Sequence, residues 1–381
     1  MKRHLLRAVK LLCMILAVVL CTGILQEYVL CRADHNRERI KGFYQEDRDS
    51  LDVVYLGASD VYSDIAPGYA YRRDGITGYL FASQADTILN YKSQLKNILS
   101  RQKNALVVIE VNGALYGDDE ETTKEANLRN YTDNAPLDGI KLEWIMQNGK
   151  DNKAEYLLPI IKYHGVWNDL STEQKYRRTV VKDQMRGYNY LKGVLNWTVE
   201  FKSPQPSLNS SLPAASGRRE PLTELEESSL RDLLEYCKSE NLTNVVFARF
   251  PHIVTEKNFE RFERSNTIGD IVEEYGYDYL NFERDIALTG LDEEHDFYNY
   301  DHLNIYGQQK FTAFLTDYLK ERYALSPHEL TDSQQEEWEL CADYYAAYYA
   351  YNKSLIENLE AVELSEDDEL IEALQAYLPE K

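Results

Sequence analysis

The stretch Asp52-Val53-Val54-Tyr55-Leu56-Gly57-Ala58-Ser59-Asp60-Val61-Tyr62 decides how the rest of the chain reads. Val53 to Leu56 are apolar with no polar alternation, and Gly57 stops the run. Such runs mark short strands covered on both faces, as in a parallel sheet. Working outward, Ala105-Leu106-Val107-Val108-Ile109-Glu110-Val111 has the same texture and is the strongest strand signal. Asn244-Val245-Val246-Phe247-Ala248-Arg249-Phe250 repeats it and ends at Pro251. Shorter strands are predicted at Gly78-Tyr79-Leu80-Phe81 and from Tyr277 to Phe282. Between them lie helical periodicities: Ile88, Tyr91, Leu95 and Ile98 on one face, then roughly Phe259 to Tyr275, and about Gln308 to Arg322. Strands alternating with amphipathic helices imply right-handed βαβ units, hence an α/β fold with a mainly parallel sheet and helices on both faces.

The remaining segments give the organisation. Lys2, Arg3, Arg7 and Lys10 precede an apolar run from Leu11 to Leu25, extended loosely to Leu30. Basic residues before an apolar span keep the N-terminus cytoplasmic and place the body outside, so residues 1–31 read as a single-pass membrane anchor. The run is slightly short for a spanning helix, and a cleaved signal peptide is the competing reading. No A-x-A-type cleavage site is visible, and Cys21 lacks the small residue that precedes a lipidated cysteine. Residues 32–323 read as the α/β domain, opening with a polar stalk or first helix from Arg32 to Arg48. An insertion at about 113–242 holds no comparable strand and carries a Ser- and Pro-rich loop, Ser203 to Ser216; it is expected to rim the carboxyl edge of the sheet. Residues 324–381 read as an acidic helical tail. Trp338, Leu340, Tyr344, Tyr345, Tyr348 and Tyr349 form an aromatic stripe there, expected to pack on the body, with a partner helix or glycan surface as the alternative.

Composition excludes several classes. A formal net charge of −22 repels phosphate backbones, so nucleic acid is not an expected partner. Of five cysteines only Cys237 and Cys341 lie in the body, which is neither a disulfide framework nor a zinc pattern. The seven histidines form no HxH or HxxxH pair with acids at ligand spacing, and no glycine-rich phosphate loop is present. No metal and no cofactor are expected. The 30 tyrosines read as half-buried packing residues or as the lining of a polymer groove.

Two segments carry chemistry. Ser59 lies just past the first strand, at the edge where open α/β sheets bind ligands. Gly57 permits a tight turn, Ala58 leaves the hydroxyl accessible, and the Ser59 amide can donate to an oxyanion; a plain turn or helix cap is the simpler reading of Gly-Ala-Ser. Far along the chain, Asp296-Phe297-Tyr298-Asn299-Tyr300-Asp301-His302-Leu303-Asn304-Ile305-Tyr306-Gly307 puts a histidine in a loop before the last helix of the α/β portion. Serine becomes a nucleophile when a base takes its proton, and imidazole suits neutral pH; taken alone, His302 reads equally as a structural histidine beside the helix.

Strand-Gly-x-Ser at the start and a histidine in an Asp-rich loop before the last helix resemble the SGNH/GDSL hydrolase superfamily. Gly57-Ala58-Ser59…Pro67 together with Asp296-Phe297-Tyr298…His302-Leu303-Asn304-Ile305-Tyr306-Gly307 is similar to envelope SGNH-like proteins related to the DltD group. The resemblance spans most of Asp52 to Tyr323. It implies a flavodoxin-like three-layer α/β/α SGNH sandwich with a parallel sheet, here with a large helical insertion and a helical C-terminal tail. It also implies an esterase or O-acyltransferase acting on acyl groups of an envelope glycan or teichoic-type polymer. By the same resemblance Ser59 is the nucleophile and His302 its base. Gly78 (or Gly75) and Asn112 occupy roughly the places of the oxyanion donors, and a turn role for Asn112 stays open. The orienting aspartate three residues before the histidine is replaced by Asn299, leaving Asp296, Asp301 or the Asn299 carbonyl to orient the imidazole. That departure and the tyrosine-rich surface motivate the alternative of a catalytically weak or inactive SGNH-fold protein acting as a glycan-binding or envelope assembly factor; a separate third reading is an anchored protein whose helical tail recruits a membrane acyltransferase. Within the insertion, His164 and Trp167 in Tyr163-His164-Gly165-Val166-Trp167 are candidate sugar-binding residues, with local packing as the alternative.

Overall fold

The computed structural model describes residues 2–28, 34–163, 165 and 190–357. The apolar runs become five strands: β1 (Val53–Gly57), β2 (Gly78–Ala82), β3 (Leu106–Glu110), β4 (Val245–Arg249) and β5 (Tyr279–Asn281). All are parallel and lie in the order β2-β1-β3-β4-β5, one of the two common doubly wound arrangements. Every residue of β1, β2 and β4 is buried, which is why these strands lack polar alternation.

Successive side chains feed opposite faces. Val54, Leu56, Tyr79, Phe81, Val107, Ile109 and Phe247 join a core with α5 (Ile88–Arg101), α11 (Glu224–Ser239) and α12 (Phe259–Glu274). Val53, Tyr55, Leu80, Val108, Val246 and Ala248 join a second core with α3 (Ser59–Asp64), α4 (Pro67–Asp74) and α13 (Ile305–Tyr323). Helices therefore cover both faces of the sheet. The segment before β1 includes α2 (His35–Phe43), whose Ile40 and Phe43 enter the first core.

The interval after β3 is helical and strandless among its described residues, with α6 (Asp119–Thr122), α7 (Glu125–Thr132), α8 (Gly139–Asn148), α9 (Lys153–Leu157) and α10 (Ile160–Tyr163) ahead of α11. Residues 190–201 run past the free edge of β2. The Leu80 amide donates to the Lys192 carbonyl (3.1 Å), and Leu195 donates to the Tyr62 carbonyl (2.9 Å). Gly193 is required there: its φ is +96°, and a Cβ would lie 2.9 Å from the Leu80 carbonyl oxygen.

α14 (Asp332–Ile356) lies along α4. Trp338, Tyr344, Tyr345 and Tyr348 are buried, whereas Leu340 of the expected stripe faces solvent and Tyr349 is half-buried. An Arg72–Asp343 ion pair and a Tyr71–Trp338 ring contact join the two helices. At the other end, α1 (Lys2–Tyr28) contains a 23-residue span, Arg3–Leu25, whose most apolar 18-residue window has a mean hydropathy of 2.6 and no burial against the body. It is long and apolar enough to cross a membrane, as an anchor or a signal sequence does.

Candidate active site

The turn out of β1 is built on a close approach. A Cβ at Gly57 would come within 2.7 Å of Val61 Cγ2 and 2.9 Å of Glu110 Cβ, so a larger residue would push α3 off β3. With glycine there the chain bends directly into α3, and Ser59 is its first residue at the carboxyl edge of the sheet. His302 arrives from a loop closed by an antiparallel bridge between Phe297 and Leu303. Leu303 N–H is held by buried Asp64 Oδ1 at 2.9 Å, pinning the loop to the end of α3. α13 begins at Ile305, earlier than its periodicity indicates, because the Asn304 side chain accepts from the amides of Tyr306 and Gly307.

These supports bring residues 243 positions apart into contact: His302 Nε2 lies 2.8 Å from Ser59 Oγ. On the other side of the ring, Nδ1 lies 3.0 Å from Asn299 Oδ1. That oxygen also accepts from the amides of Asp301 (2.8 Å) and His302 (2.9 Å). Two backbone N–H groups identify the atom as the amide oxygen, so Nδ1 must carry the proton it shares with it. Nε2 then presents its lone pair to the serine hydroxyl, the tautomer a general base needs. Burial pushes the His302 imidazole below its ordinary range, and His252 and Arg261 add to this; Asp60 and Asp301 oppose it. The ring is therefore neutral and able to take a proton at neutral pH.

The other predicted residues fare unevenly. The Asp296 carboxylate is bound by Lys310 Nζ (2.7 and 2.8 Å) and the Asp292 amide (2.7 Å). Asp301 pairs with Arg261 at 3.0 Å. Neither bonds the imidazole; Asn299 does. Gly78 is the first residue of β2, level with Val53, whereas Ala82 is the one level with Gly57. Gly78 is thus at the amino edge of the sheet, the wrong end for an oxyanion donor, and Gly75, the left-handed cap of α4, precedes it. Ser83, not a glycine, follows β2 at the carboxyl edge. Asn112 follows β3, the neighbour of β1, at the correct edge. Its Oδ1 accepts from Arg249 at 3.0 Å, which leaves Nδ2 as the side chain's donor atom. His164 and Trp167 lie outside the described residues.

Other residues of the site carried no local signal. Trp197, from the 190–201 segment, donates through Nε1 to Ser63 Oγ (2.9 Å) and stacks on Tyr298 (centroids 4.3 Å, 10° between planes). Its ring is 6.2 Å from that of His302, making an aromatic wall beside the Ser–His pair. Beneath the pair lies a buried ionic cluster of Asp60, Asp64, Glu110, Arg249, His252 and Glu283, each at most 2 % exposed. Arg249 bonds Glu283 (3.0 Å), and its Nη1 lies 3.4 Å from Glu110. Burial pushes Asp60 up, yet His252, His302 and Arg249 together outweigh it and hold the carboxyl well below the usual range. Glu110 and Asp64 go the other way, pushed up by burial and then by the charge of Asp60. Among the described residues no group of His, Cys, Asp and Glu is arranged to hold a metal ion. Compared with known proteins, the sequence matches no family model and no curated protein.

Proposed function

We propose that the chain is a membrane-anchored serine esterase or O-acyltransferase of the SGNH/GDSL type, acting outside the membrane on acyl groups of an envelope glycan or teichoic-type polymer. The observation that carries this reading is the 2.8 Å contact between Ser59 Oγ and His302 Nε2, with the tautomer held by Asn299. His302 Nε2 takes the hydroxyl proton as Oγ attacks the ester carbonyl. The Ser59 amide and Asn112 Nδ2 are the donors for the oxyanion. Collapse expels the alcohol, which receives the proton from Nε2, and leaves an acyl group on Ser59. Water or a second hydroxyl then accepts it by the reverse sequence. The Trp197–Tyr298 wall offers apolar area for an acyl chain or a sugar face. The basic flank of α1 supports a cytoplasmic N-terminus and an extracytoplasmic body.

Detergent-solubilised full-length protein is expected to be labelled by a fluorophosphonate at Ser59 and to cleave acetyl esters. Ser59→Ala should abolish both. Wild type that stays unlabelled and inactive toward acetyl esters overturns the reading. Asn299 in the place of the usual acid favours one alternative, a weakly active or inactive glycan-binding or assembly factor; glycan binding unchanged by Ser59→Ala, with no labelling, would mark it.

A further inference from the structure

We infer that Asp60 is a positioning residue for the proposed reaction, the carboxylate that faces the His302 imidazolium, and that it acts from the Nε2 side in place of an acid at Nδ1. This rests on the Ser59–His302 reading above. Asp60 directly follows the nucleophile in α3 and is fully buried. Its Oδ1 lies 3.8 Å from His302 Nε2, and neither carboxylate oxygen makes a hydrogen bond among the described residues. An interior anion without hydrogen bonds persists only where positive charge faces it. The Arg249 guanidinium supplies such a charge, and the His252 ring lies alongside, its Nε2 3.6 Å from Oδ1 and its Nδ1 donating to the Phe250 carbonyl at 2.7 Å.

The neighbouring carboxylates are excluded from this role by their own partners: Asp296 is held by Lys310, and Asp301 by Arg261. Glu110 and Asp64 are driven toward their neutral forms by burial and by Asp60 itself. Among the described residues, Asp60 is the one carboxylate within 4 Å of the atom that becomes protonated. During attack the Oγ–H bond breaks and the Nε2–H bond forms; the electron pair left on Oγ makes the bond to the acyl carbon. Nε2 gains its positive charge 3.8 Å from Asp60, while the closer serine oxygen remains its hydrogen-bond partner. Among the described residues, Asp60 and Asp301 are the anions acting most strongly on the ring, with His252 and Arg261 on the other side, and Asp301 is itself paired with Arg261.

The test uses the full-length chain in detergent micelles, with two readouts: the rate of fluorophosphonate labelling against pH, and the titration midpoint of His302 by 15N-histidine NMR. Asp60→Asn should lower the His302 midpoint and slow labelling at pH 7 by about 100-fold, the lower range of what positioned acid–base groups contribute. Adding Asn299→Asp, which supplies a charge at Nδ1, should recover at least about tenfold of that loss; a merely structural role for Asp60 predicts no rescue. Wild-type rate and midpoint in Asp60→Asn, or no rescue in the double variant, overturn the inference. If Asp60→Asn does not fold, 13C-carboxyl NMR of the wild type decides. Asp60 should stay ionised through the pH range in which His302 titrates, and a carboxyl that takes up a proton there overturns the inference. Absence of labelling in the wild type counts against the hydrolase reading alone, because the NMR midpoint still reports the Asp60–His302 pairing.

Discussion

At the scale of single residues, Asn299 does two jobs with one oxygen: it closes the 299–302 turn by accepting two backbone N–H groups, and it fixes the His302 tautomer. Asparagine provides the geometry of a triad acid without its charge, so the tautomer is correct while the imidazolium gains no ion pair at Nδ1. Asn299→Ala leaves all three donors without their acceptor. If the proposed reaction holds, ester cleavage falls by about 100-fold or more in kcat, with KM little changed, because the loss concerns proton transfer and not substrate contacts. Asn299→Asp keeps the acceptor and adds charge. It should raise the His302 titration midpoint and raise kcat by about tenfold, the rate equivalent of one pKa's worth of stabilisation. A decrease in Asn299→Asp would mean that the turn cannot accommodate a carboxylate. The Ser59–His302 pair was legible in the chain because each residue stands at a punctuation mark, the end of an apolar strand and the start of the last sheet-covering helix. Asp60 and His252 were not, since whether a charged residue is buried depends on what the fold stacks over it. Gly78 was misplaced because a glycine that opens a strand and one that closes it look alike in sequence.

Among the elements, β1, β3 and β4 were readable because burial on both faces leaves an unbroken apolar run. β5 shrinks from the expected Tyr277–Phe282 to Tyr279–Asn281: it is the edge strand, paired on one side only, and Asn281 turns into the following loop by accepting from the Arg284 amide. The path of residues 190–201 had no readable signal, because main-chain bonds to Leu80 and Tyr62 set it rather than any periodicity. α5 holds a different kind of information at its start. Asp86 is fully buried just before the helix, with Thr87 N–H at 2.9 Å, Asn90 Nδ2 at 2.7 Å and Gln94 Nε2 at 2.6 Å on its carboxylate. Burial outweighs these donors and pushes its carboxyl up to about 6. The folded state then binds this proton more tightly than the unfolded chain does. Stability from Asp86 is thus fully present below the unfolded value near 4 and is lost as pH rises through about 6. The difference is of the order of 3 kcal/mol. Urea midpoints of wild type and Asp86→Asn, compared from pH 4 to pH 7.5, should converge or cross in favour of the variant as pH rises. A constant gap across that range would show that Asp86 does not titrate there.

At the scale of the whole molecule, the parts added around the sheet are joined at one buried cation. Lys192 has no exposed side-chain surface, and its Nζ lies 2.7 and 2.9 Å from the Glu46 oxygens and 2.8 Å from Glu337 Oε1. It also sits 4.8 Å over the Trp338 ring. Glu46 follows α2, Lys192 belongs to the segment that carries Trp197 to the site, and Glu337 lies in α14, so one ammonium ties the N-terminal approach, the insertion and the C-terminal helix together. Burial alone would push the Lys192 amine down, but the charges of Glu46 and Glu337 reverse this and hold it above its ordinary range. Burial of such a pair contributes little net stability, whereas removing one partner strands the other in the interior. Lys192→Met should therefore cost about 3–5 kcal/mol in chemical unfolding. Because the same residue anchors the Trp197 segment, it should also lower the rate of Ser59 labelling under native conditions. The double variant Lys192→Met/Glu46→Leu removes the stranded charge and should regain most of the lost stability. If the single variant is as stable as wild type, the three additions are held by their apolar contacts alone, and the position of Trp197 does not depend on the lysine.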